Sequence, residues 1–297
     1  MGKAAAALLV VVLVAAVGGG VGKAQPLRSG TGLKVTRIGS LPQPVAKSAA
    51  VALPGGRVMV LGGYAGGRSL KTILAGRPSR LRRFGRLPLP THDAAAAIVR
   101  GSVYLFGGGA SFSMPSVVRI NPITSQAKEV PALDEPLSDL GAVTIGSHAY
   151  LVGGFTGAQF ASAILRYNRH GGTSTVARLP QPTRYAGVAR LGRTIYVAGG
   201  LTPAGATNAV YAVSLHGRVR QVATLPAPED HAALAALGGR LYLVGEGFVL
   251  AIDPASGKVS LAAQLPASLS DPTATTVDGR IVVTGGGTNG VWALSPA

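Results

Sequence analysis

What most constrains this 297-residue chain is a motif repeated at fixed distance. Leu-Pro-x-Pro stands at Leu179-Pro180-Gln181-Pro182 and recurs at Leu41-Pro42-Gln43-Pro44, Leu87-Pro88-Leu89-Pro90 and Leu225-Pro226-Ala227-Pro228. Weaker copies stand at Leu133-Asp134-Glu135-Pro136 and Leu265-Pro266-Ala267-Ser268, so that successive leucines are 46, 46, 46, 46 and 40 residues apart. Some way after each leucine comes an apolar run that ends in glycine, such as VMVLGG at 58–63, IYVAGG at 195–200 and LYLVGEG at 241–247. A period in the 40s built from short apolar runs marks a radial repeat, because no single copy can bury both faces of its sheet.

One copy, read from Leu179, supplies four strands: a at 186–191, b at 194–198, c at 209–215 and d at 219–224. The turns between them are Gly192-Arg193 and His216-Gly217, and 43 glycines with 20 prolines provide such turns throughout. The last copy, from Leu265, runs out after strand c at 291–295, while an unassigned strand, LKVTRIGS at 33–40, precedes the first copy. Pairing these two leaves no free sheet edge at the joint between the chain ends. The reading is therefore an all-β, six-bladed propeller over residues 33–297, four antiparallel strands per blade, with the last blade closed by the N-terminal strand.

The sequence AGVARLGRTIYVAGG, a small-residue strand followed by an apolar strand ending in a glycine doublet, resembles the kelch-repeat propellers, and the resemblance extends over residues 33–297. It departs from that family's pattern in strands c and d. The one tryptophan, Trp292, falls in strand c, and the c strands end in Ile120-Asn121-Pro122, Tyr167-Asn168-Arg169 or Ile252-Asp253-Pro254. The resemblance implies the fold; no subfamily follows from it.

Antiparallel strands place every d-to-a and b-to-c connection on one face of the disc, here the ring face, and every a-to-b and c-to-d turn on the other, the turn face. Six residues after each organising leucine come Lys47, Asp93, Asp139, Tyr185, His231 and Asp271. His92, Ser138, Arg184, Asp230 and Ser270 come just before five of them. These positions open the innermost strands and should surround the central channel, where convergent polar groups make a binding site. Each Asp taken singly is equally suited to bonding backbone N–H groups in its own turn. As ligand-binding candidates we take Asp93, Asp139, Arg184, Tyr185, Asp230, His231, Glu246 and Asp271. Blade 5 has Gly245-Glu246-Gly247 where other blades have a doublet and a long loop, and blade 6 is nearly as short at Gly287-Thr288-Asn289-Gly290. Two short neighbouring loops should leave a notch in the ring face with Glu246 at its edge.

Several function classes drop out. Without cysteine there is no disulfide, no thiolate metal site and no crosslinked cofactor like that of the kelch-like galactose oxidases, and no cofactor is expected. Two histidines on different blades are poor evidence for a metal site. The glycine triplets at 107–109 and 285–287 precede no helix, which a phosphate loop requires. Two functions remain: a binding scaffold for a glycan, peptide or protein, and a carbohydrate-modifying enzyme resembling the kelch-like sialic acid mutarotases. For the latter, Glu246, His231 and Arg184 are the acid–base candidates.

The N-terminus points out of the cytoplasm. Lys3 precedes fourteen apolar residues at 4–17, and Gly22 and Ala24 have the spacing of a cleavage site. Residues 1–24 are thus a signal peptide or, uncleaved, a membrane anchor, and 25–32 a tether. The net charge of +17 is then better matched to an anionic membrane or envelope surface than to nucleic acid. Arg57, Arg193, Arg240 and Arg280 recur beside strand b and put that charge on the turn face, whereas most of the acidic residues map to the ring face.

Overall fold

In the computed structural model, which describes residues 32–297, the copy beginning at Leu179 forms four antiparallel strands in the expected order. They are a (Gly187–Leu191), b (Thr194–Ala198), c (Ala209–Val213) and d (Val219–Thr224). Strand b is buried from Ile195 to Ala198, since the sheet is covered on both faces by neighbouring blades. Strand d is mostly exposed or half-buried at the rim, with only Ala223 buried.

The same order recurs around the ring. The a strands are Ala49–Leu53, Ala95–Val99, Gly141–Ile145, Gly187–Leu191, Ala233–Leu237 and Pro272–Val277, for blades 1 to 6. Each touches the next, and Pro272–Val277 touches Ala49–Leu53, so the ring is closed. Blade 6 takes its outer strand from the N-terminal side: Leu33–Val45 pairs antiparallel with Thr288–Pro296, from Leu33 opposite Pro296 to Val45 opposite Thr288. The architecture is the six-bladed β-propeller read from the repeat.

The organising leucines are the bolts between blades. Leu41, Leu87, Leu133, Leu179, Leu225 and Leu265 are all buried, and each belongs to a different apolar cluster formed by two adjacent blades. Burial of such a side chain stabilises by roughly 1.5–3 kcal/mol. The glycine doublets are a second fastening. Gly63, Gly108, Gly154 and Gly200 donate backbone hydrogen bonds to the carbonyls of Thr91, Leu137, Thr183 and Glu229 in the loops that open the next blade, at 2.7–2.9 Å. A Cβ on Gly199 would lie 2.2 Å from the Glu229 oxygen, and φ there is +62°, so the motif requires glycine twice over. Gly287 makes the corresponding bond to Val45 between blades 6 and 1. Blade 5 makes none to blade 6.

Two outer strands differ from expectation. The closing strand runs to Val45 instead of Ser40, and that of blade 1 is Arg82–Thr91 instead of 81–86. In both, Leu-Pro-x-Pro is a bulge inside the strand and not a turn at its end. Residues 41–44 fall in the register slip between Ser40 and Val45, and residues 87–90 in the slip that separates Arg86 from Thr91. Proline has no N–H for the ladder and is tolerated at such edges. The leader at 1–24 and the tether as far as Thr31 lie outside the described residues; among those described, no helix is long and apolar enough to cross a membrane.

Candidate functional site

The six residues that open the innermost strands share one unusual conformation. Lys47, Asp93, Asp139, Tyr185, His231 and Asp271 all have φ between 53° and 58°, the left-handed region that costs a residue with a side chain roughly 1–2 kcal/mol. A relay of backbone hydrogen bonds holds them there. The N–H of Asp93 donates to Lys47 O (3.0 Å), Asp139 to Asp93 O (2.8 Å), Tyr185 to Asp139 O (2.9 Å), His231 to Tyr185 O (3.2 Å) and Lys47 to Asp271 O (3.3 Å). Between Asp271 and His231 a side-chain contact stands in place of the sixth link, His231 Nε2 lying 3.7 Å from Asp271 Oδ1.

With their backbones so aligned, the six residues line a cavity of about 110 Å³ at the mouth of the central channel. Polar contacts knit its wall. Lys47 Nζ donates to Asp93 Oδ2 at 3.2 Å, and His92 Nε2 lies 3.5 Å from the same oxygen. Tyr185 and His231 stack with centroids 3.8 Å apart, while the Arg184 guanidinium donates to the Tyr185 hydroxyl at 2.9 Å. Arg184 Nε is 3.2 Å from Asp139 Oδ2, yet its N–H is not directed at any acceptor; the contact is an ion pair without a hydrogen bond.

Burial sets the protonation chemistry. It pushes the Asp93 carboxyl up to about 6, against the pull of Lys47 and with the help of Asp139. Burial likewise raises Asp139, partly offset by Arg184, and takes Tyr185 up to about 12 with repulsion from Asp93 and Asp139. For Lys47 burial acts downward, but the attraction of Asp93 and Asp271 outweighs it and the ammonium is held above its usual range. His92 is lowered by burial and by Lys47. The site is thus a pair of countered cations, Lys47 and Arg184, among carboxylates of which one exchanges its proton near neutrality.

Of the candidates read from sequence, Asp93, Asp139, Tyr185, His231 and Asp271 line the cavity. Arg184 packs behind Tyr185, and Asp230 behind His231 with its Oδ1 3.3 Å from Nδ1. Glu246 is not brought to them. It is exposed on the short turn of blade 5 and accepts a hydrogen bond from Ser268, so it does not join Arg184 and His231 in one acid–base group. Among the described residues, no group of three or more His, Asp or Glu side chains is arranged to hold a metal ion.

The loops divide as expected into tall and short. In blades 1 to 4 the residue before each ring position pairs with the b-to-c connection: Ala46 with Tyr64, His92 with Gly109, Ser138 with Phe155 and Arg184 with Leu201. Blade 5 turns back within Gly245–Phe248. The residues that sequence reasoning missed belong to the tall side. Phe155 and Phe160 enclose the Arg184 guanidinium at 5.0 and 5.1 Å, and Ser69 bonds His92 Nδ1 at 2.9 Å. Two phenylalanines flanking the blade 3 loop were the available signal.

No family model matches this chain, and no curated protein matches it. The fold has solved relatives. YjhT, a kelch-type propeller, superposes with a TM-score of 0.75 over 86% of this chain and 96% of its own, at 14% identity. At that identity the likeness establishes the kelch-like propeller fold alone.

Proposed function

We propose that this kelch-like propeller is a binding scaffold whose ligand sits on the ring face, with one polar end in the central mouth. The observation that carries this reading is the ring itself: six side chains, held in a strained conformation, converge on one concave polar spot. The mouth is small, about 110 Å³, and open to solvent. It takes the tip of a ligand, such as the terminal residue of a glycan, whose body then lies along the loops. Location at the cell envelope and an anionic surface facing the basic turn face remain part of the proposal, on the strength of the leader and the charge distribution.

A second reading, a carbohydrate-modifying enzyme of the mutarotase kind, is favoured by one feature. An Asp93 carboxyl at about 6 beside His92 is suited to proton exchange near neutral pH. The two are separated by screening the purified chain on a glycan array and following anomer interconversion of each bound sugar, with Asp93→Asn, Tyr185→Phe and Glu246→Gln in parallel. The scaffold reading expects binding that falls at least about tenfold in Asp93→Asn and Tyr185→Phe, is unchanged in Glu246→Gln, and comes with no turnover. Turnover abolished by Asp93→Asn overturns it in favour of the enzyme; binding indifferent to both ring substitutions overturns the site.

A further inference from the structure

The joint between blades 6 and 1 holds a proline bulge on the closing strand. On the closing strand, Leu41–Pro44 loops out between Ser40, opposite Gly290, and Val45, opposite Thr288. On blade 1, Leu87–Pro90 loops out opposite Lys71, whose Nζ donates to Pro88 O at 2.7 Å. Beside the closing-strand bulge lies a cavity of about 240 Å³, lined by residues of 41–45 on one side and by blade 1 on the other.

Its lining has two halves. The floor is apolar and buried, made by Leu41, Val45, Val60, Leu70 and Leu74. The mouth carries the exposed guanidinium groups of Arg68 and Arg83, and no carboxylate lines the cavity. Neither arginine has an ion-pair or side-chain hydrogen-bond partner among the described residues. From Arg68 and Arg83 the surface continues to Lys71 and Arg86 along a second groove, again without a carboxylate in its lining. On the ring, by contrast, Lys47 and Arg184 are each countered by an aspartate.

We propose that this cavity is a binding site for an anionic amphiphile, a short acyl or alkyl chain ending in a carboxylate or phosphate. The chain lies on the leucine and valine floor, removing its methylenes from water. The head group meets Arg68 and Arg83, whose planar forks suit both carboxylate and phosphate oxygens. An uncharged or cationic head leaves those two charges unanswered. The proposal is independent of the ring mouth, which lies at the axis and shares no lining residue with this cavity.

The test is titration of the full chain with a matched series of eight-carbon probes: octanoate, octyl phosphate, octyl glucoside and octylamine. Octanoate and octyl phosphate are expected to bind, their relative affinity showing which anionic head the arginines prefer, and each added methylene from hexanoate to octanoate should tighten binding about fourfold. Octyl glucoside and octylamine should bind at least about tenfold more weakly. Arg68→Glu combined with Arg83→Glu, both at exposed positions where folding is not at risk, should reduce octanoate affinity at least about tenfold and leave ring-face binding unchanged. If the four head groups bind alike, if hexanoate binds as well as octanoate, or if the double variant binds octanoate as the parent does, the proposal is wrong.

Discussion

The joint between blades 4 and 5 and the joint between blades 5 and 6 are built from successive copies of one repeat, and they are fastened differently. At the first, main chain holds main chain: Gly200 N–H donates to Glu229 O at 2.7 Å and His231 N–H to Tyr185 O at 3.2 Å. At the second, neither link is made. Side chains replace both, with Ser268 donating to Glu246 where the doublet bond should be, and His231 facing Asp271 where the ring relay should be. One further bond, from Thr276 Oγ1 to Ala236 O at 2.7 Å, joins the two inner strands, and the apolar cluster around Leu265 lies beneath. The lesson is that a glycine doublet in such a repeat is joinery. Where it becomes Gly-Glu-Gly, the fastening passes from groups every residue has to groups that substitution can remove.

Substituting the two glycines should give the widest separation between the joints. Gly199→Ala places a Cβ against a backbone carbonyl at positive φ, and is expected to cost about 3 kcal/mol in chemical denaturation, the sum of conformational strain and a lost joint hydrogen bond. Gly245 has an ordinary φ, and its added Cβ would press on the Phe248 ring, which can shift; about 1 kcal/mol is expected. Equal costs would show that the doublet is not the fastening.

The linked side of the ring should also carry its own pH signature. Asp93 binds its proton more tightly when folded, at about 6 against an ordinary value of 3.8. Folding therefore takes up a proton between these values, and the contribution of this group to stability rises as pH falls through 6 and levels off below 3.8. Relative to Asp93→Asn, the parent protein should gain on the order of 2 kcal/mol between pH 7.5 and pH 4.5, read from melting curves at both values. Parallel curves for the two proteins would mean that the carboxylate is not buried as described.

The smallest effect expected is at the side-chain joint itself. Thr276→Val removes the hydroxyl that reaches Ala236 and should cost about 1 kcal/mol. A silent substitution would show that this hydroxyl does not fasten the joint, leaving it to the apolar cluster and the Ser268–Glu246 and His231–Asp271 contacts.

The repeat made most of the architecture readable. The 46-residue spacing placed the inner strands within a residue or so in blade 4, and the unfinished last copy identified the closing strand before any coordinates. Ring positions were readable for the same reason, since a residue six places after each leucine must fall at the same point in every blade. What the spacing could not carry was direction. Glu246 lies on the correct face and loop, but the two glycines around it let its side chain turn outward to Ser268. Nor could it show that Leu-Pro-x-Pro is a turn in later copies and a bulge in the first two, because that depends on how far the partner strand continues: Thr288–Pro296 and Arg68–Gly76 are nine residues each, against five for Ala209–Val213.

The closing strand has a consequence for the order of events in folding. Blade 6 is assembled from residues near both ends of the described chain, so its sheet cannot exist until Thr288–Pro296 has been synthesised. Before that moment Leu33–Val45 has no partner and is open to other chains; afterwards it covers the edge of Thr288–Pro296, and blade 6 ends in one outer strand as the other blades do. Bringing such distant segments together is also the slowest kind of contact to form. The nine residues of the last strand thus act as a checkpoint, because ring closure certifies that everything between the two strands has been made.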